Sequence, residues 1–361
     1  MQRHLRKTIY LFFLFFVSTG VFASADQKNE VKENDFDALS MIMHHISDSH
    51  SWHIVSFEKN DGTKVDISLP LPVILIYEGS VHVFLSSEFH HGEAVVKKGE
   101  HYFKLYHDKI YVTNAAGDIV TDAEGHPENI KPFDLSITRN VASMWLSVII
   151  LLALFIPAAK KYRGEPAMPS GMQSLLEPII LYIRDDIVIE QIGKEKADKF
   201  MPYILTVFFF IWINNLIGMV PFFPGGSNVS GNIAFTSVLA VITLLLTNLN
   251  GSRTYWKHIF ATPGVPSPVR LILIPIEIVS IFTKPFALMI RLFANITAGH
   301  IIILSLASLI FVLKSIYISP ISVGMSLFMN MLELLVGLLQ AYIFALLSAL
   351  FIGMATHNEE H

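Results

Sequence analysis

Apolar and polar positions are segregated along this chain. Up to about position 138, charged and polar residues alternate with short apolar runs; beyond it most of the sequence is apolar. Alternating or β-rich runs at Val65–Leu69, Val73–Tyr77, Val81–Leu85, Tyr102–Tyr106 and Lys109–Thr113 predict strands, with turn signals at Asp61-Gly62, Glu78-Gly79 and Gly117-Asp118. A short helix is expected from Asp35 to His45. The later half predicts membrane spans at about Val141–Ala158, Pro202–Val220 and Ile233–Leu249, then two longer apolar segments, Val269–Leu313 and Pro320–Met354. Those two exceed the roughly 20 residues that cross a bilayer, so they must tilt, kink or lie partly across it. Pro275 and Pro285 are available breakers. The expected fold class is membrane all-α, with about five transmembrane helices ending in a long tilted C-terminal hairpin, preceded by a small β-rich extracytoplasmic domain.

Charge sets the expected orientation. Arg3, Arg6 and Lys7 precede an apolar run, Ile9 to Phe22, and Ala23-Ser24-Ala25 supplies an A-x-A pattern, together the form of a secretory signal peptide. An uncleaved anchor is the alternative, and either would export the residues that follow. Lys160, Lys161 and Arg163 after the first span, and Arg253, Lys257 and His258 after the third, mark cytoplasmic ends. The stretch Leu175–Ile192 places Leu175, Ile179, Tyr182 and Ile183 near one face, which predicts a helix lying along the cytoplasmic surface, with a loop helix as the alternative. The division expected is a signal peptide over 1–25, an extracytoplasmic domain over 26–138 and a membrane domain over 139–361.

Composition narrows the function classes. Hydrophobic residues are 52% and charged residues 16%, against the usual charged share of about 25%, which excludes an ordinary soluble protein. A net charge of −4 does not suggest a nucleic-acid partner, and zero cysteines exclude disulfides and thiolate metal sites. The exported part is rich in histidine (His44, His45, His50, His53, His82, His90, His91, His101, His107). These residues could form a metal site or a proton-collecting antenna, or simply be solvated; no metal and no cofactor is called for.

The chemistry lies in the last two apolar segments. Glu277, Lys284, Arg291, Asn295 and His300 interrupt the first, and Glu333 and Gln340 the second. An arginine at mid-bilayer costs about 2.5–3.5 kcal/mol even on a lenient scale and stays protonated, so Arg291 reads as a fixed positive charge awaiting a carboxylate. Asn295, four residues on, shares its face, while His300 turns away. Ala287, Ala294 and Ala298 would let a partner helix come close. If the two segments form an antiparallel hairpin turning near Ser315 to Ser319, His300 falls beside Glu333, and Arg291 within a turn of Gln340, which could hydrogen-bond it. A buried Glu–His pair can pass a proton; a static buried pair is the alternative.

The strings Lys284-Pro285, Arg291-Leu292-Phe293-Ala294-Asn295 and Ala298-Gly299-His300 resemble the signature of the F-type ATP synthase subunit a family. So do Glu277, the run Leu338-Leu339-Gln340-Ala341-Tyr342-Ile343-Phe344, Asn214-Asn215-Leu216 with Pro221, and Gly231-Asn232-Ile233. The resemblance covers roughly residues 139 to 358. It implies a non-catalytic, proton-conducting stator subunit in a bacterial inner membrane, partnered by the c-ring, the peripheral-stalk b subunits and the remaining ATP synthase subunits. In that reading Arg291 separates two offset half-channels. His300, Glu333 and Asn295 belong to the outer one, with Asn215 near its mouth; Glu277 belongs to the inner one, and Gln340 neighbours the arginine. Two departures stand out: some relatives carry the acid and the histidine of the pair in exchanged order, and some carry an acid where this chain has Gly218.

Competing readings are a secondary ion-coupled transporter that uses Arg291 to bind an anion, an intramembrane metalloprotease and a non-conducting assembly subunit. The first predicts internal repeats, which are not seen. The second needs a cluster such as H-E-x-x-H, absent from the membrane half, and the third leaves the buried ionisable groups unexplained.

Overall fold

The computed structural model describes residues 46–58, 64–122, 125–162, 171–220, 223–261 and 266–357, together with Leu39, Ile42 and Met43, which are helical. The signal peptide, the rest of the expected helix over Asp35–His45, Asp61-Gly62, Arg163 and Pro221 lie outside the described residues.

Among the described residues, eight strands form three small antiparallel sheets. They are β1 (Ser51–Glu58), β2 (Lys64–Pro70), β3 (Pro72–Tyr77), β4 (Ser80–Leu85), β5 (Val95–Lys98), β6 (His101–Tyr106), β7 (Lys109–Thr113) and β8 (Phe133–Asp134). The sheet orders are β1-β2, β4-β3-β8 and β5-β6-β7. All five predicted runs are strands; β1, β5 and β8 are additional. Glu78 and Gly79 have φ of 48° and 77°, the left-handed pair that a two-residue hairpin between β3 and β4 requires. Along β3, Val73 and Leu75 point inward, where they meet Phe84, Phe89, Phe103 and Ile110. The opposite face of that sheet leaves Val81, Val83, Leu85, Phe133 and Leu135 exposed.

The remainder is helical: α1 (Arg139–Lys161), α2 (Met172–Tyr182), α3 (Lys194–Met219), α4 (Ile233–Leu249), α5 (Arg253–Ala261), α6 (Ser267–Val312) and α7 (Ser319–Thr356). Of these α1, α3, α6 and α7 are long and apolar enough to cross a membrane, and α4 with α5, bent by 100° at their junction, makes a fifth if the pair is one span. Thr138 caps α1 by accepting from the Val141 N–H; Asn232 caps α4 through the Ala234 N–H at 2.9 Å. Pro275 and Pro285 do not break the chain: α6 runs through both for 46 residues, about 69 Å at helical rise. That is more than twice a bilayer core of about 30 Å, and it leaves tilt or curvature rather than interruption.

The stretch Leu175–Ile192 departs from expectation. After α2 the backbone widens into a π-helix over Ile183–Ile189 and closes with a turn at Glu190–Ile192. The wider turn rotates the apolar phase, so Leu175 is 61% exposed while Ile183, Ile187, Val188 and Ile192 are fully buried. They join a core with Ile204, Ile211, Leu292, Phe344 and Ile352. The second half of this stretch therefore packs its apolar face into the bundle while Asp185, Asp186 and Glu190 stay exposed. Here α7 comes so near that a Cβ on Gly353 would lie 1.9 Å from the Gln191 carbonyl oxygen.

Candidate functional site

Helices α6 and α7 run antiparallel through a turn at Ile316–Ile318, and Ser322 Oγ donates to the Leu306 carbonyl across it. This register brings His300 Nδ1 into a hydrogen bond with Glu333 Oε1. The two side chains are 12% and 5% exposed, so the pair is held away from solvent. Small residues make the meeting possible. A Cβ on Gly299 would sit 3.2 Å from Glu333 Oε1. On the other side, a Cβ on Gly218 of α3 would lie 3.0 Å from the Ser227 carbonyl oxygen and 3.8 Å from His300 Nε2. An acid at position 218 would thus crowd that loop; with glycine, His300 faces a small space instead.

That space is a cavity of about 10 Å³, room for roughly one water. Its lining includes Asn214, Asn215, Ser227, Ser230, His300 and Glu333. Asn215 Nδ2 donates to the Gly337 carbonyl at 2.9 Å, tying α3 to α7. Asn214 Nδ2 donates to Ser147 Oγ at 3.0 Å and to the Phe210 carbonyl at 2.7 Å. Asn214 Oδ1, Asn215 Oδ1, Ser227 Oγ and Ser230 Oγ are buried without a protein partner. Buried polar groups are normally satisfied, so four such atoms around one cavity mark a polar site inside an apolar bundle.

Arg291 stands elsewhere. It is exposed, along with Ala287, Ala294, Asn295 and Ala298, while Leu288, Leu292 and Ile296 on the other side of α6 are buried. Among the described residues Arg291 has no ion pair and no side-chain hydrogen bond. It lies nine residues from His300, about 13 Å along the helix. Gln340 is buried, and no hydrogen bond joins it to Arg291. The expected bond is not formed, because the guanidinium sits on the open face of α6 and Gln340 points into the bundle. Glu277 is half-buried near Tyr255 of α5. Lys284 Nζ lies 5.8 Å from the centre of the Phe351 ring.

The structure thus unites His300, Glu333 and Asn215 around one cavity, leaves Arg291 and Asn295 on an open helix face, and separates Glu277 from both. Sequence reasoning gave no place to Ser147 or Ser143. Their signal was available: Asn140, Ser143 and Ser147 form a polar stripe on one face of an otherwise apolar span, and all three are buried. Among the described residues no three His, Cys, Asp or Glu side chains gather as metal ligands. Of the described histidines in the sheet domain, His101 packs edge-on against Tyr77 and against His82 at 5.7 Å and lies 3.7 Å from Glu78, while His50 pairs with Asp134 at 2.8 Å.

A bundle of long apolar helices that holds a buried acid–histidine pair beside a polar cavity has the form of a multi-pass membrane protein with a polar site in its interior. The family model described as "ATP synthase A chain" matches residues 141–353, and the chain belongs to that family. It is 45% identical over 234 residues to ATP synthase subunit a of Chloroherpeton thalassium, covering 63% of this chain and 69% of that protein. With ATP synthase subunit a of Chlorobium phaeobacteroides (strain BS1) it shares 46% over 237 residues, 63% and 68% of the two chains. With that of Myxococcus xanthus it shares 40% over 237 residues, 63% and 77%. Residues 41–135 match a domain of unknown function (DUF8433).

Proposed function

We propose that this chain is the proton-conducting stator subunit of a rotary F-type ATP synthase, non-catalytic itself, seated against the c-ring and the peripheral-stalk b subunits. The observation that carries the reading is the division of labour along α6. A buried His300–Glu333 pair opens on a polar cavity, whereas Arg291, about 13 Å along the helix, offers its guanidinium on an exposed face it shares with Ala287, Ala294, Asn295 and Ala298. In the outer half-channel a proton passes through the cavity to the Glu333–His300 pair and on past Asn295 to a c-ring carboxylate. Arg291 meets that carboxylate in its ionised form and, carrying a charge that cannot be titrated away, bars direct passage to the inner half-channel at Glu277. Gln340, buried in α7, belongs to the neighbourhood of the arginine in this reading. The ring must then turn for each proton to leave.

Orientation follows from Lys160 and Lys161 at the end of α1 and from Arg253, Lys257 and His258 in α5, which mark the cytoplasmic side. The sheet domain is then extracytoplasmic, the carboxyl terminus cytoplasmic and the membrane the bacterial inner membrane. The alternative is a secondary ion-coupled transporter that uses Arg291 to bind an anion; the alanine face favours a partner helix instead. The test is passive proton flow through membrane vesicles stripped of the catalytic head. Glu333→Gln should abolish it in a complex that still assembles, and wild-type flow in that variant would sink the reading.

A further inference from the structure

A polar file reaches the cavity from above, and it begins in the sheet domain. Residues 47–52 fasten that domain to three pieces of the bundle. The Arg139 N–H donates to the Ser49 carbonyl at 2.9 Å and its guanidinium to the Ser47 carbonyl at 2.8 Å. Trp52 Nε1 donates to the Gly225 carbonyl at 3.3 Å, and its ring packs edge-on against Phe223 at 5.2 Å. Between them Asp48 accepts from the Asn140 N–H at 3.0 Å, from Thr138 Oγ1 at 3.0 Å and from Asn232 Nδ2 at 3.5 Å.

From Asp48 the buried face of α1 leads inward. Asn140 Oδ1 and Ser143 Oγ are buried without a protein partner. Ser147, one turn further, is bonded to Asn214, which lines the cavity beside Glu333. The distance from Asn140 to Ser147 along the helix is about 10 Å. On the other side Asn232, which touches Asp48, stands two residues from Ser230, a second cavity-lining residue. Asp48 is bonded by one backbone N–H of α1, the Thr138 hydroxyl and the Asn232 amide, with Arg139 and His50 the charged groups beside it; it is the carboxylate that bonds both α1 and the start of α4.

We propose that Asp48, contributed by the amino-terminal sheet domain, is the proton acceptor at the mouth of the intake route that feeds Glu333 and His300. This rests on the half-channel reading given above. The carboxylate takes a proton from water at the outer surface and becomes neutral, then gives that proton to water entering along Asn140, Ser143, Ser147 and Asn214 and returns to the anion. Each water on the way accepts one proton and passes one on, so that the Glu333–His300 pair gains the proton that Asp48 loses. Burial pushes the Asp48 carboxyl above the usual range; the hydrogen bonds from Asn140 and Thr138 and the charges of Arg139 and His50 act against that rise. The remaining charged groups nearby are already engaged: Asp134 with His50, and Asp108 with Ser47 Oγ at 2.5 Å. Asp48 is thus poised to be protonated more readily than a surface carboxylate, as an acceptor facing the outside requires.

The test uses the assembled complex in vesicles stripped of the catalytic head, with flow driven by an imposed potential and followed across outer pH. Asp48→Asn keeps an oxygen for the Asn140 N–H but carries no proton. It should slow proton flow by about tenfold or more and remove its dependence on outer pH in the range where Asp48 titrates. Asp48→Glu should restore both. Trp52→Phe loosens the same junction without touching the carboxylate and should leave flow near wild type. Wild-type flow in Asp48→Asn overturns the proposal. So does slowing by Trp52→Phe as large as that by Asp48→Asn, or failure of both Asp48 variants to assemble, since each makes residues 47–52 a clamp only. Glu333→Gln run in parallel separates the two claims: loss there with normal flow in Asp48→Asn sinks only the role of Asp48, whereas normal flow in Glu333→Gln removes the half-channel itself.

Discussion

Exchanging the members of the buried pair tests whether the pair, or each residue in its own place, matters. His300→Glu alone sets two carboxyls against each other, and Glu333→His alone sets two imidazoles. Side chains 12% and 5% exposed have little water to relieve either mismatch, and breaking a buried pair costs about 3–5 kcal/mol. The exchanged double variant restores one acid and one base. Its remaining penalty is steric: the cavity holds about 10 Å³, Gly299 leaves 3.2 Å between a would-be Cβ and Glu333 Oε1, and overpacking costs about 1–3 kcal/mol. The coupling energy between the two sites should therefore be favourable by about 2 kcal/mol, within the range of contacting residues. The assay is twofold: the temperature at which the detergent-solubilised complex loses this subunit, and passive proton flow in vesicles. Both single variants should lose flow and fall in temperature, and the exchanged variant should recover part of each. An exchanged variant no better than the worse single in either assay refutes the reasoning, because position-specific roles would then outweigh pairing.

Three further outcomes follow from particular contacts. Gly353→Ala must push α7 away from the Gln191 carbonyl, since 1.9 Å is far inside contact distance; assembly yield and thermal stability should fall by an amount equivalent to about 1–3 kcal/mol or more. Asn215→Leu removes the 2.9 Å bond to the Gly337 carbonyl, which keeps its partner within helix α7, so the loss should cost about 0.5–1.5 kcal/mol, and it should also slow proton flow by drying the cavity. For Asp134, burial raises the carboxyl, but hydrogen bonds from His50 and Ser136 outweigh it and hold it below the usual range. A depressed folded value means this stabilisation is present above the ordinary carboxylate range and is lost as pH falls through the folded value. Thermal unfolding of the sheet domain, followed by tryptophan fluorescence, should therefore lose stability in acid, less steeply in His50→Gln.

The membrane half was legible because its signals are long. An apolar run of 18 residues or more rarely forms anything but a membrane span, and the spans over α1, α3 and α4, with the α6–α7 hairpin, match the structure closely. The His300–Glu333 meeting was legible for the same reason: two long helices joined by one short turn leave little freedom of register. Shorter features were not. β5 has four residues and β8 two, and pairing with neighbours, not local pattern, makes them strands. In β1, Trp52 is buried while Ile54 is exposed, so apolar content did not report which face turns inward. The π-helix at Ile183–Ile189 rotates its phase where only tertiary packing can dictate it. The absent Arg291–Gln340 bond has the same origin: seven-residue spacing keeps a stripe on one side but does not say which side meets the neighbour. Asp48 was invisible because its partners Thr138, Asn140 and Asn232 are 90 residues or more away in sequence.

The central claim is that Arg291 separates two half-channels. Its most direct test is proton movement in vesicles carrying Arg291→Ala, with ATP-driven pumping compared against passive flow after the catalytic head is stripped. The account predicts an assembled complex in which pumping and synthesis vanish while passive flow persists, because ions then cross without turning the ring. Pumping near the wild-type rate would contradict it and leave Arg291 a structural residue on the open face of α6.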